Sequence, residues 1–264
     1  MIKILILGDT YGEPGRKAVE LCVNSMKKNG EVDFAICNAE NATHGAGLTE
    51  SVAKELFQNG CDVLTGGDHI FDRKKEIEDF LKKDPRVIRP ANFHKNLPGS
   101  GSCVVEHRGV KIGVIHVAGQ VFMRYHLSSP FFAADEEIEK VKKQGAQVIV
   151  VDIHAEATSE KMAFLWYVDG RVSAVVGTHT HVQTADERIT EKGTAYLTDL
   201  GMTGPYDSVI GAVKEPIIQR FLTQVGVKKE VAQGDVRLCG AIVSVDERSG
   251  KALAIERVQK KIMP

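Results

Sequence analysis

Acids and histidines in this sequence recur immediately after short apolar runs. Asp9 follows Lys3 to Leu7 through Gly8, and Asn38-Ala39-Glu40-Asn41 follows Phe34 to Cys37. Gly66-Gly67-Asp68-His69 comes just after Val63-Leu64. Asp152-Ile153-His154 continues Val148 to Val151, and Gly177-Thr178-His179-Thr180-His181 continues Ala174 to Val176. Alone, each has a plain structural reading: Gly-Asp is common after a strand, Asn41 suits a turn or cap, Glu40 an exposed acid, and His154 a hydrogen-bonded structural histidine. His179 and His181 carry more. Two residues apart in an extended segment, their side chains would leave on the same side and face one ion cluster.

Five such endings in order make a ligand set. Carboxylate oxygens neutralise charge, one carboxylate can bridge, and neutral imidazoles complete each shell. A mixed oxygen and nitrogen set without cysteine is wrong for structural zinc. It suits two hard or borderline ions, which at about 3.5–4 Å separation activate a bridging water and clamp phosphoryl oxygens during in-line displacement.

The elements that must position these residues are legible as alternating patterns. The apolar runs named above, with Val110 to Val117, read as buried strands. Arg16 to Lys27, Thr49 to Gln58, Lys74 to Lys82 and Glu136 to Lys143 read as helices. Thr49 with Ser51 marks an N-cap and Gly60 a stop. Strand then helix, repeated, implies an α/β layered fold with a largely parallel sheet at its start, where ligands collect at the carboxyl ends of strands. Later segments are more β-rich: Gly101 to Glu106 pairs with Val110 to Val117 as a hairpin, and Val236 to Val245 with Ala252 to Val258 as another. No repeat, low-complexity segment or long linker forces a cut, so residues 1–264 are expected to form one domain.

Of the 264 residues, 43% are hydrophobic and 26% charged, a soluble balance with material for a sizeable core. A net charge of −1 and the lack of an aromatic–basic stripe disfavour a nucleic-acid-binding surface, without excluding a nucleotide as a small substrate. The five dispersed cysteines, Cys22, Cys37, Cys61, Cys103 and Cys239, read as reduced core thiols. The first apolar run is too short for a signal peptide, and no stretch approaches a membrane span, so a cytoplasmic protein is expected.

At Asp9, Glu40-Asn41, Asp68-His69, His154 and Gly177 to His181 the sequence resembles the successive motifs of calcineurin-like metallophosphoesterases. The longer phrases Gly8 to Arg16, Asn38 to Ala42, His154 to Lys161, Gly177 to Asp186 and Thr198 to Asp207 resemble one bacterial branch, the YmdB-type phosphodiesterases. The resemblance spans nearly the whole chain. It implies an α/β fold of four layers, an αββα sandwich with two β-sheets packed together and helices outside. It also implies two metal ions, the first held by Asp9, Glu40, Asn41 and His181, the second by bridging Glu40 with Asp68, His154 and His179. Iron is the metal implied, with manganese as activating substitute. The implied activity is hydrolysis of phosphodiesters, notably 2′,3′-cyclic nucleotides, by a metal-bridging hydroxide. His69 would be the general acid, which its near-neutral intrinsic pKa suits, against the plainer reading of a structural histidine beside the metals. Homo-oligomers are a further expectation from the family.

Asp68 is a departure, since the family has Asn before that histidine. A third ligand carboxylate is expected to tighten metal binding or favour a higher-valence ion while damping electrophilicity. Two other readings remain: the same site acting on a phosphomonoester or phospholipid-like diester, and a metal-binding regulatory protein with little turnover. The latter must explain a complete ligand set with His69.

Lesser candidates follow from position alone. The Gly12-Glu13-Pro14-Gly15-Arg16 turn is placed either to offer N–H groups to a phosphate or simply to shape the loop. His44, His116, His126 and Tyr206 are candidates for the cleft wall, and His94 and His107 for the surface. Glu156 and Asp186 are candidates to orient ligand histidines, while Thr178 and Thr180 read as filling strand or turn positions. Asp72-Arg73-Lys74-Lys75 and Gln259-Lys260-Lys261 read as solvated ends.

Overall fold

The computed structural model describes residues 1–262, with six helices and fourteen strands numbered along the chain. One sheet contains β1 (Ile2–Leu7), β2 (Asp9–Thr10), β3 (Phe34–Asn38), β4 (Val63–Thr65), β5 (Val87–Ile88), β12 (Met202–Pro205), β13 (Val236–Val245) and β14 (Ala252–Lys261). Its order is β2-β12-β13-β1-β3-β4-β5, with β14 also on β13. The run β1-β3-β4-β5 is parallel, as expected, whereas β13 lies antiparallel to β1, Ile2 facing Val245 and Leu7 facing Gly240. The second sheet has the order β10-β11-β9-β8-β7-β6. It is built from β6 (Ser102–His107), β7 (Val110–Ala118), β8 (Val148–His154), β9 (Ala174–Thr178), β10 (Arg188–Ile189) and β11 (Ala195–Leu197). Both expected hairpins form, β6–β7 and β13–β14.

Period-2 alternation in these strands separates three interiors. Ile4 and Ile6 of β1 share a cluster with Val148 and Val150 of β8 and with Val176 of β9, which is the seam between the sheets. Leu5 and Leu7 face the other way, among residues of α1 (Gly12–Lys28), α2 (Glu50–Gln58) and α3 (Lys74–Lys83). Ile149, Val151 and Ile153 of β8 face α4 (Pro130–Lys143) and α5 (Thr158–Val168). The layers are therefore helix, sheet, sheet, helix. Each buried Ile, Leu or Val contributes about 1.5–3 kcal/mol of transfer free energy, and a strand buried on both faces admits a polar residue only where a hydrogen-bond partner meets it.

Helix boundaries depart from the sequence reading in two places. α1 begins at Gly12, not Arg16, because Gly12 takes a φ of 60° that turns the chain out of β2. α4 begins at Pro130, with the proline at its first turn. The Thr49 hydroxyl does cap α2, accepting from the Val52 N–H at 3.3 Å. Two helices went unread, α5 and α6 (Lys214–Thr223). Apolar residues lie on both faces of α5, Phe164 and Leu165 inside and Trp166 and Tyr167 outside, so no stripe marks it. All five cysteines are free and buried. Among the described residues no helix is long and apolar enough to cross a membrane.

Candidate metal centre

Five parallel-running strands deliver the candidate residues to one edge of the sandwich. Asp9 follows β1, Glu40 and Asn41 follow β3, Asp68 and His69 follow β4, His154 ends β8, and His179 and His181 follow β9. The residues come from both sheets, so the centre sits astride the seam. Asp9, Glu40, Asn41, Asp68, His154 and His181 are buried; His179 and His69 are partly open.

The side chains form two groups joined at Glu40. In one, atoms of Glu40, Asp68, His154 and His179 all lie within 4.8 Å of one another. His154 Nε2 is 3.1 Å from Asp68 Oδ1 and 3.2 Å from Glu40 Oε1, and His179 Nδ1 is 3.5 Å from Asp68 Oδ1. In the other, the Asn41 amide nitrogen lies 3.2 Å from His181 Nε2 and donates to Glu40 Oε1 at 3.0 Å, while Asp9 Oδ1 is 3.7 Å from His181 Nε2.

Each ligand-candidate histidine is fastened by its outward nitrogen. The Thr178 hydroxyl has one proton and gives it to Asp152 Oδ1 at 2.8 Å, so it accepts from His154 Nδ1–H, also at 2.8 Å. His179 Nε2 faces Glu156 Oε2 at 3.2 Å, and His181 Nδ1 donates to the Ile210 carbonyl at 2.9 Å. Those bonds select the tautomers whose inward nitrogens carry lone pairs. When both rings are neutral, His154 Nε2 and His179 Nδ1, 3.0 Å apart, both present lone pairs.

This arrangement fits cations. Among the described residues no Lys or Arg pairs with Asp9, Glu40 or Asp68, and Asp9 Oδ1 is buried without a hydrogen-bond partner. Burial pushes the Asp9 carboxyl above its ordinary pKa. Burial alone would do the same to Asp68, but hydrogen bonds from His154 and His179 hold it well below the usual range. Burial would likewise lower His154, yet the Glu40 and Asp68 carboxylates raise it well above 6.5. In the absence of a metal the cluster therefore stabilises positive charge on imidazole. Gly67 leaves the cradle open, since a Cβ there would collide with Glu40 Oε2 and His154 Nε2.

Several expectations need correction. His179 and His181 do not lie in an extended segment: β9 has ended, and their φ angles of 101° and 65° place both in positive-φ backbone. They meet the cluster through that turn, at a backbone cost of order 1–3 kcal/mol for each such residue. His116 is fully buried away from the cleft, hydrogen-bonded to the Gly66 and Asp152 carbonyls. Its charge interaction with Asp152 opposes the effect of burial and helps hold that carboxyl down at about 2. His126 lies by a separate hollow with Phe93 and His94, and Tyr206 is bonded to Cys239 Sγ. Asp186 accepts from Thr184 and Thr198, not from a ligand histidine. His94 is exposed as expected, but His107 is half-buried, edge-on to Phe34. Glu156 does meet His179, and His44 does line the cleft.

Three contributors were missed. Thr178 orients His154, although it reads as a strand filler. Asp72 accepts from His69 Nδ1 at 2.7 Å and is itself held by Arg124 at 2.9 Å, so the charged segment after His69 is not merely a solvated end. The i, i+3 spacing of His69 and Asp72 was the available signal. Asp199, buried, accepts from the Thr180 N–H between the two histidines at 3.2 Å.

The cleft over the centre is a cavity of about 500 Å³ whose walls include Tyr11, His44, His69, His181 and residues of α6. Comparison with known proteins finds relatives over nearly the whole length. A Bacillus subtilis (strain 168) protein named 2′,3′-cyclic-nucleotide 2′-phosphodiesterase is 49% identical over 257 residues, 97% of this chain and 96% of that one. A hypothetical protein from Thermus thermophilus superposes with a TM-score of 0.91 at 38% identity, covering 98% of this chain and 99% of its own. A phosphatase from Mycoplasma pneumoniae also gives 0.91, at 36% identity, covering 98% and 93%. The profile of the YmdB-like protein family matches residues 5–258, and the chain belongs to that family, its αββα sandwich being the metallophosphoesterase fold.

Proposed function

We propose that this enzyme is a metal-dependent phosphodiesterase acting on small phosphodiesters of the 2′,3′-cyclic nucleotide type. The observation that carries this reading is the convergence of His154 Nε2 and His179 Nδ1, 3.0 Å apart, on buried carboxylates that have no Lys or Arg partner among the described residues. The activity named for the Bacillus relative supports the substrate class. Two ions would be held by Asp9, Glu40, Asn41 and His181 on one side and by Glu40, Asp68, His154 and His179 on the other. Iron is the proposed occupant, with manganese as substitute. Bound there, they supply Lewis acidity toward phosphoryl oxygens and a nucleophile available at neutral pH.

The chain's own groups supply the rest. His69 lines the cavity with Nδ1 committed to Asp72, leaving Nε2 as the nitrogen available to a substrate. From there it donates a proton to the departing ribose oxygen as the phosphoester bond breaks. The His69 N–H donates to Glu40 Oε2 at 2.9 Å, which ties the position of the acid to a carboxylate that would hold both ions. Arg124 pairs with Asp72 at 2.9 Å and so fixes the acceptor that orients His69.

Purified protein with Mn²⁺ is expected to hydrolyse 2′,3′-cyclic AMP, to stop after chelation and dialysis, and to recover when Mn²⁺ is restored. Protein that binds two ions and leaves the cyclic nucleotide intact would overturn the reading in favour of another phosphoester or a regulatory role. The third ligand carboxylate has its own test. Asp68→Asn is expected to weaken metal affinity by about 10-fold, given that even outer-shell changes cost about 10–100-fold, read as metal retained after dialysis. Unchanged metal content together with unchanged turnover would show that the Asp68 charge has no such effect.

A further inference from the structure

The wall of the cleft opposite the metal centre is built by residues 209–231 and is fixed to the centre by the His181 bond to the Ile210 carbonyl. Backbone pairing of Ala212 with Val231, and the Val213 N–H on the Glu230 carbonyl at 2.9 Å, hold Lys229 beside α6. Four cations in this region divide cleanly. Lys214 pairs with Asp207 and Lys228 with Glu230. Arg220 and Lys229, the two that line the cleft, have no acidic partner among the described residues. Phe221 lines the same cavity wall, 77% exposed, with Ile210 also open at 54%.

An exposed aromatic sharing a cavity wall with uncommitted cations, beside a phosphoester-cleaving centre, has the chemistry of a nucleotide subsite. The cyclic phosphodiester carries one negative charge, which the metal side of the cleft accommodates. Arg220 and Lys229 are therefore left for a second anion on the same molecule. Resting on the phosphodiesterase reading, we propose that Arg220 and Lys229 bind a second phosphate on the 5′ side of a nucleoside whose 2′,3′-cyclic phosphate is being opened, while Phe221 carries its base. That phosphate belongs either to a 5′-monophosphate or to the diester linking the nucleoside to a preceding one. The subsite makes the enzyme prefer such molecules over a bare cyclic mononucleotide.

The test compares kcat/KM, with Mn²⁺ at low salt, for adenosine 2′,3′-cyclic phosphate, its 5′-phosphorylated form and the dinucleotide ending in a 2′,3′-cyclic phosphate. The parent is expected to favour one or both of the latter on the order of tenfold, through KM, since exposed charge pairs are individually modest. The doubly substituted Arg220→Ala, Lys229→Ala protein should lose that preference, and Phe221→Ala should raise KM for all three. A preference for the 5′-monophosphate alone assigns the anion to that source, and one for the dinucleotide alone assigns it to the diester. Equal kcat/KM for all three in the parent overturns the proposal, as does a preference that survives the double substitution. If the parent hydrolyses none of them, the phosphodiesterase reading fails separately, and binding decides the subsite. Adenosine 3′,5′-bisphosphate should then bind the parent several-fold more tightly than adenosine 3′-monophosphate and the double variant no more tightly; equal affinities in the parent would refute the subsite.

Discussion

His69→Ala is expected to lower kcat for 2′,3′-cyclic AMP by about 10²–10⁴-fold, the range for removal of a positioned general acid, while the protein keeps its metals. The two effects separate because the hydrogen bond from His69 to the ligand cluster comes from its backbone. The N–H that donates to Glu40 Oε2 survives in alanine, and the lost imidazole bonded Asp72, which is not a ligand candidate. Metal content, measured beside steady-state rates, is the control. A loss below about fivefold would mean that the departing oxygen takes its proton from elsewhere, such as solvent. A large loss accompanied by metal loss would return His69 to a structural role.

The second large effect is expected at a buried pair behind the cavity wall. Lys161 and Asp199 form an ion pair at 2.7 Å with each side chain 1% exposed. Asp199 Oδ2 accepts both Lys161 Nζ and the Thr180 N–H, and Oδ1 accepts the Gly201 N–H. The pair thus pins the turn that carries His179 and His181. Lys161→Met keeps most of the volume and leaves a buried carboxylate without its countercharge, a cost of about 3–5 kcal/mol. Against a total stability of about 5–15 kcal/mol, that is a large share. A fall in Tm of about 10 °C follows from the usual scaling for chains of this size, with weakened metal retention because the pinned turn loosens. Adding Asp199→Asn should restore part of the Tm by removing the stranded charge. An unaltered Tm in Lys161→Met would mean that the turn is held by its other bonds.

The ligand positions were legible because of a physical constraint on strands. Ile4 to Leu7, Ile149 to Val151 and Val175 to Val176 are buried on both faces, so polar residues concentrate where the chain leaves the sheet. The places where it leaves are where parallel strands concentrate function. What stayed hidden was whatever depends on the third dimension. Thr178 acts through Asp152, and Asp199 through Lys161, partners 26 and 38 residues away with no pattern to link them. The turn that swings His179 and His181 inward uses positive φ at residues other than glycine, which no residue preference announces. β2 and β12 are two and four residues long, too short for periodicity to register, and exist because Asp9 and Thr10 pair with Met202 and Thr203. His116 was misplaced for the opposite reason: a histidine inside a buried strand looks the same in sequence whether it faces a cleft or two carbonyls.

The antiparallel partner of β1 is β13, some 230 residues further along the chain. A ribosome adding about 5–20 residues per second makes residues 2–7 long before it makes 236–245. For that interval one edge of the strand that ends beside Asp9 has no neighbour, and its alternate faces, Ile4 and Ile6 on one and Leu5 and Leu7 on the other, have incomplete layers to cover them. An open apolar edge of this kind recruits other strands. The nascent chain is therefore most exposed to mispairing just before its last hairpin emerges, and that hairpin, remote from the chemistry, is what closes the sheet.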